Sequence, residues 1–218
     1  MKSPFSATGD LAAAIEAFRA SLPPEAVLDA REQEARRVVE ATARRVAKSG
    51  IPPRFVSAKP SVPQSRAWAE RAAGGGSENL VLTGRAGCGK TREACAALRV
   101  AAAEKPVLFA TFGDVLRAVR ATYGGEGSEE TALSRYRCVS VLCIDDLGKE
   151  RPTADALEKL FAVLDARYGR EKPTVFTTQY GKAELGRRLM AEGGDYEQAD
   201  AILRRVYQGA EVVVMDGR

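Results

Sequence analysis

The sequence predicts an α/β fold: one parallel sheet of five strands, helices on its faces, and a small helical arm ahead of it. Three observations carry this expectation. From Glu78 onward, short apolar runs alternate with helix-like stretches, the pattern of strands joined by helical crossovers. The first run, Leu80 to Thr83, leads into Gly84-Arg85-Ala86-Gly87-Cys88-Gly89-Lys90-Thr91. That stretch has the form G-x-x-x-x-G-K-[ST] and stands between a strand and a helix, the setting in which the pattern cradles phosphate. Before this region the composition changes from an Ala-, Glu- and Arg-rich stretch to one rich in proline and glycine.

Taken in order, residues 1–49 read as an N-terminal helical region, broken at Pro23-Pro24 into a short and a long helix. The long one, Glu25 to Lys48, carries a thin apolar stripe (Leu28, Ala35, Val38 or Val39, Thr42, Val46) bordered by charge. With Leu11, Ile15 and Phe18 it forms a hairpin too small to be stable alone, which suits an arm that docks on a partner. A hairpin folded on its own core is the alternative. Residues 50–77 hold Pro52, Pro53, Pro60, Pro63 and Gly74-Gly75-Gly76 and read as a linker with one helical piece, Ser65 to Ala73. Residues 78–218 then supply strands at Leu80–Thr83, Val107–Ala110, Val139–Ile144, Thr174–Thr178 and Val212–Met215.

Composition excludes several classes of chemistry. The chain has no histidine, and Cys88, Cys95, Cys138 and Cys143 form no C-x-x-C pair. That argues against a zinc site and removes Ser-His and Cys-His devices. No apolar run is long enough to span a membrane and the N-terminus lacks a signal-peptide core, while unpaired thiols suit the cytoplasm. A net charge of +4 names no partner unless it is focused on one face.

The phosphate loop needs glycine because backbone N–H groups must face the phosphates. Lys90 is placed to reach the β- and γ-phosphates and the Thr91 hydroxyl to bind Mg²⁺. A second motif, Val141-Leu-Cys-Ile-Asp145-Asp146-Leu-Gly148, is a strand ending in two carboxylates. Asp145 suits the metal and Asp146 suits a general base for the attacking water. A third, Thr174-Val-Phe-Thr177-Thr178-Gln179-Tyr180, ends a strand in polar side chains that can read a γ-phosphate or orient water. A plain strand running into a polar loop is its alternative reading.

Order and spacing of these motifs resemble an AAA+ ATPase, and more narrowly the DnaC-type helicase loaders and the related IstB transposition ATPases. The resemblance runs from about Gly50 to the C-terminus. It covers Ser49-Gly-Ile-Pro-Pro-Arg-Phe55, Thr111 to Gly148, Ala156 to Leu185, and Ala201-Ile-Leu-Arg-Arg-Val206. It implies a P-loop AAA+ sheet with a minimal lid or none, ATP and Mg²⁺ as cofactors, and hydrolysis of ATP. It implies an arginine finger at Arg205, with Arg204 as the alternative, a first sensor at Gln179 and a late candidate second sensor at Arg218. It also implies side-by-side assembly and placement of a hexameric replicative helicase on single-stranded DNA, with the N-terminal helices docking on the helicase. DNA contacts fall on Arg117 and Arg120, three residues apart on one helix, with Phe112 and Tyr123 for stacking. A solvated basic face with core aromatics is the alternative for that set. Asp146 stands where the family carries glutamate, and Gln179 where it carries asparagine. Competing expectations are an IstB-like ATPase that assembles on duplex DNA, a nucleotide switch with weak hydrolysis, and a small-molecule kinase.

Overall fold

The computed structural model describes residues 24–121, 128–149, 153–190 and 196–216. They fall into two units, divided between Ala41 and Thr42. In the first unit the described residues are helical, part of α1 (Pro24–Ala47). Its charged residues give it a polar surface, and Val39 is 68 % exposed.

The second unit is a five-stranded, all-parallel sheet of order β2-β3-β4-β1-β5. Its strands are β1 (Leu80–Thr83), β2 (Val107–Thr111), β3 (Val141–Asp145), β4 (Thr174–Thr178) and β5 (Glu211–Val214). The expected strands are all present, two with the bounds given above. The third begins two residues later than expected, because the Val139 carbonyl is taken by Arg167 rather than by a ladder.

Strand side chains alternate between two cores, as a sheet covered on both faces requires. Val81, Leu108, Ala110, Leu142, Ile144 and Phe176 point to one face. That face is covered by α4 (Phe112–Arg120), α5 (Glu129–Cys138), α6 (Ala154–Tyr168), α7 (Lys182–Leu189) and α8 (Tyr196–Tyr207). Leu80, Leu82, Val107, Val141, Cys143, Val175 and Val213 point to the other. There α2 (Pro63–Gly74) and α3 (Lys90–Ala101) pack.

Residues 50–77 therefore hold more structure than a linker. Proline 63 opens α2 at its first turn, where its missing N–H costs nothing. Trp68 is 1 % exposed in the core and donates its indole N–H to the Glu78 carbonyl at 2.7 Å. Glu93 of α3 is fully buried, and its carboxylate accepts from the Ser61 N–H, the Ser61 hydroxyl and the Val62 N–H at 2.6–3.1 Å. The last turn of α1 belongs to this unit too: Arg45 donates to the Ala102 and Ala103 carbonyls, and the Ser49 carbonyl accepts from Phe109 N.

At the start of the strands Arg167, 1 % exposed, ties the sheet to α5. It donates to the Thr174 hydroxyl and to the carbonyls of Tyr136, Val139 and Pro173 at 2.7–2.9 Å. Burial without a carboxylate among these acceptors pushes its pKa down to about 9.

Candidate nucleotide-binding site

The phosphate loop spans the gap between β1 and α3. Gly84 leaves the strand at φ 146°, and a Cβ there would lie 2.2 Å from the Met215 carbonyl oxygen. Only glycine lets the loop start this close to the end of β5, which is pinned by Met215 N donating to the Thr83 carbonyl at 2.7 Å. Arg85, Ala86 and Gly87 are exposed along the loop, with Cys88 and Gly89 half-buried behind them. A Cβ at Gly87 would meet nothing within 4 Å, so the loop's outer side is open to a ligand. Lys90 opens α3 and is 6 % exposed. Its ammonium donates to the Gly84 and Arg85 carbonyls at 2.8 and 2.7 Å. These partners are uncharged, so the positive charge adds to the helix N-terminus and favours an anion. A cleft of about 900 Å³, large enough for a nucleotide, opens among Gly87, Gly89, Gln64, Arg92, Val214 and Asp216.

Asp145 ends β3 on the same edge of the sheet, with β4 lying between β3 and β1. Its carboxylate accepts from Thr91 Oγ1 at 3.0 and 3.2 Å and from Thr177 Oγ1 at 2.6 Å. Burial raises its pKa, opposed by the Thr177 hydrogen bond and assisted by the charge of Asp146. A hydroxyl and a carboxylate side by side are hard oxygen donors that suit Mg²⁺. No group of three or more His, Cys, Asp or Glu side chains gathers for a metal among the described residues. A magnesium ion held by Thr91 and Asp145 would thus draw its other oxygens from phosphates and water, as Mg²⁺ in nucleotide sites does.

Asp146 has φ 60°, a left-handed conformation uncommon outside glycine. Its N–H donates to Thr177 Oγ1 at 2.9 Å, and its carboxylate pairs with Lys149 at 2.7 Å. Its side chain is 31 % exposed, so this carboxylate meets solvent while Asp145 does not. Gln179, half-buried, follows β4 immediately. The sequence offered Thr177 and Thr178 as readers of phosphate; the structure corrects this. Both are fully buried, Thr177 bridging Asp145 and Asp146, and Thr178 donating to the Leu147 carbonyl at 2.8 Å. They fix the acidic pair and its loop instead.

Arg205 does not join this cluster. Asn79, just before β1, donates to the Arg205 carbonyl at 2.8 Å and accepts from Thr174 N at 2.9 Å. The Arg205 side chain pairs with Asp165 at 2.9 Å. It therefore lies at the start of the strands, whereas the phosphate loop lies at their ends. Arg204 is exposed and pairs with Asp200 one turn back at 2.5 Å. Arg117 and Arg120 are exposed on α4, Arg117 paired with Asp114. Phe112, expected as a stacking residue, is a correction: it is 6 % exposed and packs with Val115, Leu116 and Leu133 in the core. Tyr123 and Arg218 lie outside the described residues, as do Leu11, Ile15 and Phe18.

Comparison with known proteins bears on family and fold. Residues 46–218 match the family described as IstB-like ATP binding protein. An insertion sequence ATP-binding protein of Sinorhizobium fredii is 31% identical over 141 residues, covering 64% of this chain and 54% of that protein. The matched segment thus spans little more than half the length of that curated relative. Among solved structures, DnaI aligns with a TM-score of 0.65 at 21% identity, over 77% of this chain and 96% of the DnaI chain. The DnaC helicase loader aligns with a TM-score of 0.63 at 22% identity, over 76% of this chain and 100% of that chain. AMPPCP-bound DnaA from Aquifex aeolicus aligns at 0.59 and 18% identity, over 77% and 52%. At these identities the structural likenesses speak to the fold. With a matching family model over most of its length and the sheet and phosphate loop described above, the chain belongs to the IstB-like ATP-binding family and has the P-loop AAA+ fold.

Proposed function

We propose that this chain is an assembly ATPase that acts on DNA as a loader of a hexameric replicative helicase. The observation that supports it most directly is the division of the ATPase parts between two ends of one sheet. Lys90, Thr91, Asp145 and Asp146 gather at the strand ends, while Arg205 is tethered at the strand starts. One copy holds ATP; Arg205 of another copy completes the site, where its charge favours the transition state. Residues 84–91 hold the triphosphate, and Thr91 and Asp145 hold Mg²⁺. When bound, the metal neutralises charge developing on the phosphates. Asp146 orients the attacking water and takes its proton, and Gln179, which follows β4, serves as the first sensor. Aspartate is one methylene shorter than glutamate, so turnover is slow until assembly and DNA fix the geometry. Arg117 and Arg120 contact single-stranded DNA through its phosphates, which gives sequence-blind, salt-sensitive binding.

The loader reading is supported by the likeness to DnaI and DnaC and by the segments Ser49–Phe55 and Thr111–Gly148. A second reading, a transposition ATPase that assembles on duplex DNA, is supported by the family description and the S. fredii relative. Capture of the cognate replicative helicase separates them. The full chain should retain the helicase, and a chain beginning at Thr42, which keeps Arg45 and Ser49 in the ATPase unit, should not. Failure of both forms to retain it, with stimulation of a transposase instead, would replace the first reading by the second.

A further inference from the structure

Arg205 is held in a more specific way than a surface ion pair needs. Its Nε and Nη2 both donate to one oxygen of Asp165, at 3.1 and 2.9 Å. Its guanidinium carbon lies 4.1 Å from the centroid of the Tyr168 ring. The Tyr168 hydroxyl in turn accepts from Gln208 Nε2 at 3.2 Å. The main chain beneath is fixed as well, since Asn79 Nδ2 donates to the carbonyls of both Arg205 and Val206. One edge of the guanidinium is thus clamped by a carboxylate, one face covered by an aromatic ring, and its root tied to the sheet. The Nη1 end takes part in neither bond to Asp165, and Arg205 lines a notch of about 540 Å³ at the strand starts with Glu78, Arg170 and Lys172.

Stability alone does not account for this arrangement. The Asp165 side chain is 49 % exposed and Arg205 is 26 % exposed; an ion pair this open to water contributes little to folding. Holding an arginine in one rotamer with one end free does have a use in catalysis. A cation that arrives pre-set loses less conformational freedom when it meets the developing charge, and pre-set charge is what lowers a barrier. The same copy cannot use it. β1, four residues long, puts roughly 13 Å of strand between the two ends.

We propose that Asp165 and Tyr168 are positioning residues that aim Arg205 out of the notch at the terminal phosphate of ATP held by a second copy of this chain. This rests on the reading of Arg205 given under the proposed function. Asp165 runs along one edge of the guanidinium and fixes its direction; Tyr168 fixes its plane. The site served is the neighbour's, so losing either residue slows turnover there without changing how the mutated copy holds its own nucleotide.

The test uses full-length chains with ATP, Mg²⁺ and single-stranded oligothymidylate. Asp165→Ala and Tyr168→Leu should each lower kcat about tenfold, with KM for ATP and binding of a fluorescent ATP analogue unchanged. Asp165→Asn, which keeps an acceptor oxygen, should recover part of the loss. Arg205→Ala should lose more, and Asp165→Ala/Arg205→Ala no more than Arg205→Ala alone. Mixing inactive Lys90→Ala chains, whose Arg205 is intact, with Arg205→Ala or Asp165→Ala chains should restore turnover. Wild-type kcat for Asp165→Ala, or additive losses in the double variant, would overturn the positioning role while leaving Arg205 in place. Arg205→Ala as active as wild type, or no recovery on mixing with Lys90→Ala, would overturn the shared-site reading and the positioning role with it.

Discussion

Replacing Thr177 with valine removes one oxygen atom and leaves the side chain's shape. That oxygen serves two partners: it donates to Asp145 at 2.6 Å and accepts the Asp146 N–H at 2.9 Å, and Thr177 is fully buried. Loss of a hydrogen bond to a charged group costs about 1.5–3 kcal/mol. Leaving the Asp146 N–H without its acceptor costs about 1–3 kcal/mol more. Asp146 can recover roughly 1 kcal/mol of this by leaving its left-handed conformation. The balance is about 1.5–5 kcal/mol of folding stability, or roughly 3–20 °C in Tm for a chain of this size. Urea denaturation of Thr177→Val without nucleotide measures it. Thr177→Ser keeps the hydroxyl and should lose only about 1 kcal/mol for the methyl. Because Thr177 also holds the main chain of Asp146, the proposed general base, Thr177→Val should slow ATP hydrolysis more than it weakens ATP binding. A Thr177→Val chain as stable as Thr177→Ser would refute the bridging role.

Lys90→Ala should abolish ATP binding, read by fluorescent-nucleotide titration; retained affinity would mean that the loop amides alone hold the phosphates. Glu93→Ala strips one carboxylate from three donors at the start of α2 and should cost about 3–5 kcal/mol, read in the same urea experiment; a near-neutral variant would show that residues 61–62 are held by other contacts. Asp145 titrates above its unfolded value because it is buried. Without nucleotide, its proton is bound in both states below about pH 4, and the stability that goes with it is lost as pH rises through the raised folded pKa. Asp145→Asn should remove this slope, so its stability relative to wild type rises with pH over that window; a pH-independent difference would place the carboxylate in the ordinary range.

What could be read in the sequence follows from how local each signal is. β1 and β4 are apolar runs bounded by polar residues, and the phosphate loop announces itself in eight consecutive positions. Residues 50–77 misled because proline and glycine mark their composition, while their attachment depends on Glu93 and Glu78, which lie outside that stretch. Phe112 looks the same in sequence whether it stacks on a base or fills a core; only the packing of α4 on Leu133 decides it. The pairing of Thr177 with Asp146, of Arg205 with Asp165, and of Asn79 with both Thr174 and Arg205 joins residues 31 to 126 positions apart. Nothing in the local pattern of a lone Asn or Thr distinguishes such a partner from a surface residue. Aspartates at the end of a strand opposite a Thr-Thr pair are the one sequence cue that could have suggested the first of them.

The placement of Arg205 at one end of the sheet and Lys90 at the other has a consequence in counting. On the proposed reading, an active site is a property of a junction rather than of a chain. An open row of copies has one junction fewer than it has copies, so the copy at one end always keeps ATP that it cannot split. A closed ring has no such copy. The longest-lived nucleotide in a row would therefore mark its terminus, and growth at that end would start the clock on the copy that had been last.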